Sequence, residues 1–289
     1  MKYVYPKLSG MDLYITRIGG LGLGNMLFTY GRALLYARDY KLQMIWPTWN
    51  SIPVGQILRG EPEKRFYLNL FKNTQHAVSG VKKWALLTFS KRNIVEFTGM
   101  EGEFEPLSGK ENSQYIYQHL KEILKEKNKK ALDFEPGSGI CMHVRLGDFT
   151  KGTEEQIKAG NPNMSLPIQW YMDIVKQIRT ATGPVPVYVF SDGTDQELQP
   201  LLSMGNVQRI TFGTAIADIM AMTKAKLFIA SGSTFSRWVR YLGRMSTITY
   251  PGQLKQRLLE EDEKAFEIET ETIPGIYMMK IKDLLNGTE

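Results

Sequence analysis

The sequence predicts an α/β protein of two tandem domains, residues 1–135 and 136–289, with a cleft between them as the natural ligand site. Two observations carry this reading. Apolar runs that suit buried strands alternate with stretches of helical periodicity, the pattern of a parallel sheet wrapped by helices. The chain, at 289 residues, also exceeds one average core and suits two domains of roughly 100 to 200 residues each.

The first domain opens with a strand-like run from Leu13 to Ile18 and a glycine loop, Gly19 to Asn25. Helical spacing of apolar residues follows from Met26 to Tyr40, then a second strand-like run from Leu42 to Trp46. This is a β-loop-α-β unit. A charged helical stretch from Leu120 to Ala131 ends at Asp133-Phe134-Glu135-Pro136-Gly137-Ser138-Gly139, where Pro and Gly stop a helix and open a loop. The linker is placed there. The second domain supplies three apolar runs, Ile140 to Val144, Val185 to Phe190 and Leu227 to Ala230. Helical stretches around Trp170 to Ile178, Ile216 to Thr223 and Phe235 to Leu242 alternate with them.

Composition narrows the class. Hydrophobic residues make up 43% and charged residues 23%, which excludes a disordered or collagen-like chain. The single cysteine, Cys141, cannot form an internal disulfide and excludes a four-cysteine zinc site. With no apolar run of membrane-spanning length and no apolar signal-peptide stretch near Met1, a cytoplasmic protein is expected. Net charge is +6, and the excess lies in residues 1–135, which hold 20 Lys/Arg against 13 Asp/Glu. Such a half is either a solvated basic face or a surface drawn to an acidic partner. Nucleic-acid binding would need clustered Lys/Arg interleaved with exposed aromatics, for which Lys82-Lys83-Trp84 and Lys127 to Lys130 are the only hints.

In an open parallel sheet, ligands bind beyond the carboxyl ends of the strands. Residues just after the three apolar runs of the second domain are unusually polar: His143-Val144-Arg145-Leu146-Gly147-Asp148, then Ser191-Asp192-Gly193, then Ser231-Gly232-Ser233-Thr234-Phe235-Ser236. A helix starting after Ser233 offers unpaired N–H groups and a positive dipole end to an anion. Arg145 offers a planar fork of donors to phosphate oxygens. Asp192 can accept hydrogen bonds from a guanine edge or a ribose. Each residue also has a plainer reading: serines cap helices, Arg145 pairs with a carboxylate such as Asp148, and Asp192 serves a turn. Together they point to a nucleotide diphosphate.

The loop Gly19-Gly20-Leu21-Gly22-Leu23-Gly24-Asn25 lets backbone approach a ligand at a helix start, yet position 25 is Asn where a dinucleotide fingerprint needs Gly. No Gly-Lys-Ser/Thr phosphate loop occurs. His76, His119 and His143 are too dispersed for a local metal pair and no Asp-x-Asp triplet is present, so neither a metal nor another cofactor is expected.

Gly22-Leu23-Gly24-Asn25-Met26-Leu27-Phe28-Thr29-Tyr30 resembles the Gly-Leu-Gly-Asn-Gln-Met-Phe-Gln-Tyr opening of the α1,2-fucosyltransferases. His143 to Asp148 resembles their His-x-Arg-Arg-x-Asp motif, and Tyr188 to Gly193 their Phe-Ser-Asp-Asp stretch. Asp218 to Leu242 resembles their block ending in Ser-Thr-Phe-Ser-Trp-Trp. The matches follow the family's order. Departures are Met26 for Gln, Leu146 for the second Arg, Gly193 for the second Asp and Arg237 for the first Trp, with two extra residues in the glycine loop.

The resemblance implies an inverting, metal-independent glycosyltransferase of the GT-B type, with two Rossmann-like domains. GDP-fucose would be held by the C-terminal domain and a galactose-bearing glycan or lipid-linked oligosaccharide by the N-terminal one. By that resemblance, Arg145 holds the β-phosphate, with His143 and Asp148 orienting it or the nucleoside. Asp192 contacts guanosine. Ser233, Thr234, Phe235 and Ser236 complete the diphosphate site, and Gly24 and Asn25 approach it from the other domain. His143, Asp148, Glu154 and Glu155 are candidate bases, and proton removal by the donor phosphate is open beside them. The linkage expected is α1,2; another GDP-sugar or another fucosyl linkage is the alternative, and a nucleic-acid-binding module a more distant one. The basic first half is expected to lie peripherally near anionic lipid at the inner membrane face.

Overall fold

The computed structural model describes residues 2–58, 66–73, 77–261 and 263–287. They form two compact units, Met1–Lys129 and Lys130–Glu289. His76, one of the three histidines, lies outside the described residues.

The first unit begins with β1 (Tyr3–Pro6), β2 (Met11–Asp12) and β3 (Arg17–Ile18), then α1 (Leu23–Asp39), β4 (Gln43–Met44), β5 (Ser51–Ile52) and α2 (Val54–Leu58). After these come α3 (Gly80–Phe89), β6 (Ile94–Phe97), α4 (Lys110–Ile123) and α5 (Glu126–Lys129). Parallel strands β4-β1-β6 make one small sheet, and β2-β3-β5 make another in which β2 runs antiparallel to β3. The central strand β1 is buried throughout.

The β-loop-α-β unit is present, but its first strand is Tyr3–Pro6, not Leu13 to Ile18. Leu13 to Thr16 make a tight turn instead: the Leu13 N–H donates to the Thr16 carbonyl at 2.9 Å. Tyr14 adopts φ +70, and its N–H donates to Asp12 Oδ1 at 2.7 Å. An aspartate that bonds the main chain two residues on competes with strand pairing, and Leu13 and Ile15 are left exposed.

The second unit runs β7 (Ile140–Val144), β8 (Thr150–Lys151), α6 (Glu154–Lys158), β9 (Met164–Ser165), α7 (Ile168–Thr182), β10 (Val187–Ser191) and α8 (Asp195–Leu202). It continues with β11 (Val207–Arg209), α9 (Ala215–Met222), β12 (Leu227–Ala230), α10 (Thr234–Gly243), β13 (Ser246–Thr249), β14 (Glu267–Glu269) and α11 (Gly275–Asn286). Six strands pair in parallel in the order β11-β10-β7-β12-β13-β14. Both β7 and β12 are buried at every position, as expected where helices cover both faces. Helix starts are capped locally. Thr153, Thr194, Thr214 and Ser233 each accept a main-chain N–H one turn on.

This unit begins ahead of the Pro-Gly linker because Phe134 packs into it. The Phe134 ring lies edge-on to Tyr188, Phe190 and Phe212 at 5.2, 6.1 and 5.6 Å.

Candidate functional site

The register of the second sheet brings the three polar strand ends together. Phe190 pairs with His143 and Ser191 with Val144 across β10 and β7, and Ile229 pairs with Met142 across β12 and β7. Loops leaving β7, β10 and β12 therefore start side by side.

Arg145 is held by two carboxylates. Its Nη1 lies 2.6 Å from Asp192 Oδ2 and its Nη2 donates to Asp148. The other Asp192 oxygen accepts the Leu146 N–H at 2.9 Å, so Asp192 bridges the main chain and the guanidinium. Gly147 makes this bridge possible, since a Cβ there would lie 2.0 Å from Asp192 Oδ2. The Phe149 ring lies 5.2 Å from the guanidinium carbon. Pairing of Arg145 with Asp148, the plainer of its two readings, thus occurs, and the first partners of Asp192 are protein groups. Arg145 keeps further N–H donors for an incoming oxyanion.

His143 is buried and stacked on Phe235, with ring centroids 4.7 Å apart. Its Nδ1 lies 3.0 Å from Ser231 Oγ and 2.7 Å from Ser236 Oγ. Burial, aided by the Arg145 charge, pushes its pKa down to about 3, so the ring is neutral at ordinary pH. A neutral imidazole sealed in the core, its Nδ1 engaged with serines, positions the start of α10; this placement does not suit a general base.

Ser233 caps α10, accepting the Ser236 N–H at 3.2 Å and meeting Ser231 Oγ at 2.9 Å. Its hydroxyl is therefore engaged. Among the described residues the N–H groups of Thr234 and Phe235 have no partner, as the first turn of a helix dictates, and they are the donors an anion would meet. Of the other carboxylates considered as bases, Glu154 lies in α6, 2.5 Å from Lys158 Nζ, and Glu155 follows it.

Gly24 and Asn25 lie in the first turn of α1, in the first unit. Asn25 Oδ1 is buried with no hydrogen-bond partner among the described residues, while the Leu23 N–H is taken by the Tyr67 hydroxyl at 2.9 Å. His119 meets the Tyr30 hydroxyl at 2.8 Å, a structural part. Among the described residues, no group of three His, Cys, Asp or Glu side chains could hold a metal ion, and no helix is long and apolar enough to cross a membrane.

Sequence reasoning missed a further constellation in the first unit. Arg17, fully buried, donates from Nε to the Thr48 carbonyl at 2.6 Å, from Nη2 to the Trp49 carbonyl at 3.2 Å and from Nη1 to the Ser9 carbonyl. It fixes the segment after β4. Lys83 is also buried, its Nζ donating to Thr48 Oγ1 at 2.8 Å. Only the lack of a neighbouring acidic residue in sequence marks these two as unusual.

The sequence profile of glycosyl transferase family 11 matches residues 106–271, more than half of the chain. The chain belongs to glycosyl transferase family 11. The family expected from the motifs is thereby borne out, and this protein is a glycosyltransferase. Among solved structures it is similar to NodZ α-1,6-fucosyltransferase co-crystallized with GDP, with TM-score 0.53 and 13% identity over 86% of this chain and 94% of that one. NodZ soaked with GDP-fucose gives 0.52 and 14% over the same shares. Fucosyltransferase NodZ from Bradyrhizobium gives 0.50 and 13% over 83% and 92%. At such identity the likeness shows the fold, and the mixed α/β class with parallel sheets is that of this transferase. No curated protein matches the chain in sequence.

Proposed function

We propose that this family 11 transferase moves fucose from GDP-fucose to a hydroxyl of a galactose-bearing glycan, with inversion and in α1,2 linkage. The observation that carries the reading is Arg145, held at the end of β7 two residues beyond His143, whose ring touches Ser236 in the first turn of α10. A fixed cation and open helix N–H groups on adjacent strand ends suit a diphosphate leaving group. GDP-fucose in one NodZ structure and GDP in another support the choice of nucleotide and sugar.

In a single displacement, the acceptor oxygen forms its bond to the anomeric carbon as the bond to the β-phosphate oxygen breaks, and both bonding electrons leave with GDP. Arg145 and the Thr234 and Phe235 N–H groups neutralise the charge that develops on that oxygen. Asp148, with a side chain 35% exposed against 13% for Asp192, is the partner Arg145 exchanges for phosphate, while Asp192 keeps the guanidinium aimed. The acceptor proton goes to a carboxylate or to the departing phosphate; burial of His143 favours a positioning part for that ring.

The first unit takes the acceptor, and its basic surface suits anionic lipid bearing a lipid-linked oligosaccharide at the inner face of a membrane. Calorimetry across nucleotide sugars, with product linkage read by NMR, tests the proposal. GDP-fucose should bind and turn over, with activity retained in EDTA. No heat from any guanosine nucleotide, together with salt-sensitive retention of oligonucleotide, would instead favour a nucleic-acid module.

A further inference from the structure

The first unit carries a half-open cavity of about 990 Å³. It is bounded by Trp46 to Asn50 just past the carboxyl end of β4, by the first turn of α3, and by parts of the 67–73 segment. Carboxyl ends of parallel strands are where such sheets hold ligands.

Its lining has two marked properties. Six aromatic side chains face it: Tyr14, Trp46, Trp49, Tyr67, Phe71 and Trp84. Three lysines line it as well, Lys72, Lys83 and Lys125, and among the described lining residues there is no carboxylate. Lys72 is engaged outside, 2.9 Å from Glu126. Among the described residues Lys125 Nζ reaches only the neutral amide oxygen of Asn69, at 2.7 Å. Lys83, 5% exposed, has Thr48 Oγ1 as its hydrogen-bond acceptor and the Tyr5 ring 5.6 Å away, and among the described residues no carboxylate lies at salt-bridge distance.

Trp49 is likewise 5% exposed, and its buried Nε1–H has no partner among the described residues. A buried ammonium short of acceptors and an orphaned indole N–H both cost free energy until something accepts from them.

We propose that this cavity binds the acceptor, and that the acceptor is an anionic saccharide whose carboxylate or phosphate is taken by Lys83 with Lys125 beside it. The identification of the ligand as acceptor rests on the transferase reading above; the preference for negative charge rests on the lining alone. Aromatic faces carry the negative lobe of the ring quadrupole and suit the C–H face of a pyranose. Asn50 and Asn69 also line the cavity and offer amides to hydroxyl groups. The same lysine turned inward explains why Lys82-Lys83-Trp84 is not a surface stripe for nucleic acid.

The test uses tryptophan fluorescence of the full chain, without donor, and three probes: galactosyl-glucuronate, its methyl ester, and lactose 1-phosphate. At low salt at least one anionic probe should bind about tenfold or more tighter than the ester, with the advantage shrinking as salt rises. Preference for glucuronate points to a uronic-acid acceptor and preference for the phosphate to a lipid-linked one; both support the proposal. In Lys83→Met the advantage should collapse while the ester binds as before. If Lys83→Met does not fold, Lys125→Met should still reduce the advantage severalfold. Equal binding of ester and both anions by the unaltered protein overturns the proposal, as does an advantage undiminished in a folded Lys83→Met. Calorimetry with GDP in the same preparation separates the two readings: GDP binding with no charge preference sinks only this inference, and charge preference with no GDP binding sinks only the transferase assignment.

Discussion

Leu146 and Gly193 share one volume: a Cβ on residue 193 would lie 2.5 Å from Leu146 Cδ1 and 3.2 Å from Leu146 Cβ. These are two of the positions at which the motifs depart from the family pattern, Arg to Leu and Asp to Gly, so those departures form one coupled change. Gly193→Ala should destabilise by about 1 to 3 kcal/mol through overpacking. In a Leu146→Ala background the same change should cost less, with a coupling of about 0.5 to 3 kcal/mol. Urea unfolding of the four proteins measures it, and strictly additive costs would contradict the shared volume.

Arg145→Ala should weaken GDP binding by about 1.5 to 3 kcal/mol, the range for hydrogen bonds to charged groups. The two carboxylates should then separate in effect. Asp192→Asn loosens the guanidinium and should lower GDP affinity, whereas Asp148→Asn frees one of its sides and should not. Titration calorimetry on folded variants checks this, and an Asp148→Asn loss as large as that of Asp192→Asn would refute the exchange.

His143 titrates near 6.5 unfolded and at about 3 folded. Between those values the unfolded chain binds a proton the native state does not, so this residue lowers stability as pH falls through that window. The slope approaches about 1.4 kcal/mol per pH unit. His143→Gln should flatten the pH dependence of unfolding there, and the His143 ring resonances should not shift between pH 5 and 8.

Burial pushes the Lys83 pKa down to about 8, against an opposing pull from Asp12. Tyr5, beneath the ammonium, is raised well above the ordinary phenol range by burial and Asp12 and stays neutral. Because the protonated amine is what attracts an anion, preference for a charged saccharide should fade as pH rises past about 8. Binding of the methyl ester, measured over the same range, should stay flat.

Much of the second unit was legible because its strands are continuous apolar runs: Ile140–Val144 and Leu227–Ala230 have the same bounds in sequence and structure. Outer strands were not. Ser246–Thr249 and Glu267–Glu269 carry polar residues whose burial depends on distant partners, as with Glu267, 2.7 Å from the buried Arg240. The site divides the same way. Strand-end position located His143, Arg145, Asp192 and Ser233, but which carboxylate holds Arg145, and that His143 is sealed in, emerged only from packing. Lys83 reads in sequence as part of the basic and aromatic run Lys82-Lys83-Trp84, and nothing local shows that it points inward.

The three main-chain carbonyls gathered by Arg17 have an implication for redesign. A scaffold fastened through its backbone tolerates exchange of the side chains it displays, so libraries varied at Trp46, Asn69 and Lys125 should yield folded transferases with altered acceptor choice, provided Arg17 is left untouched.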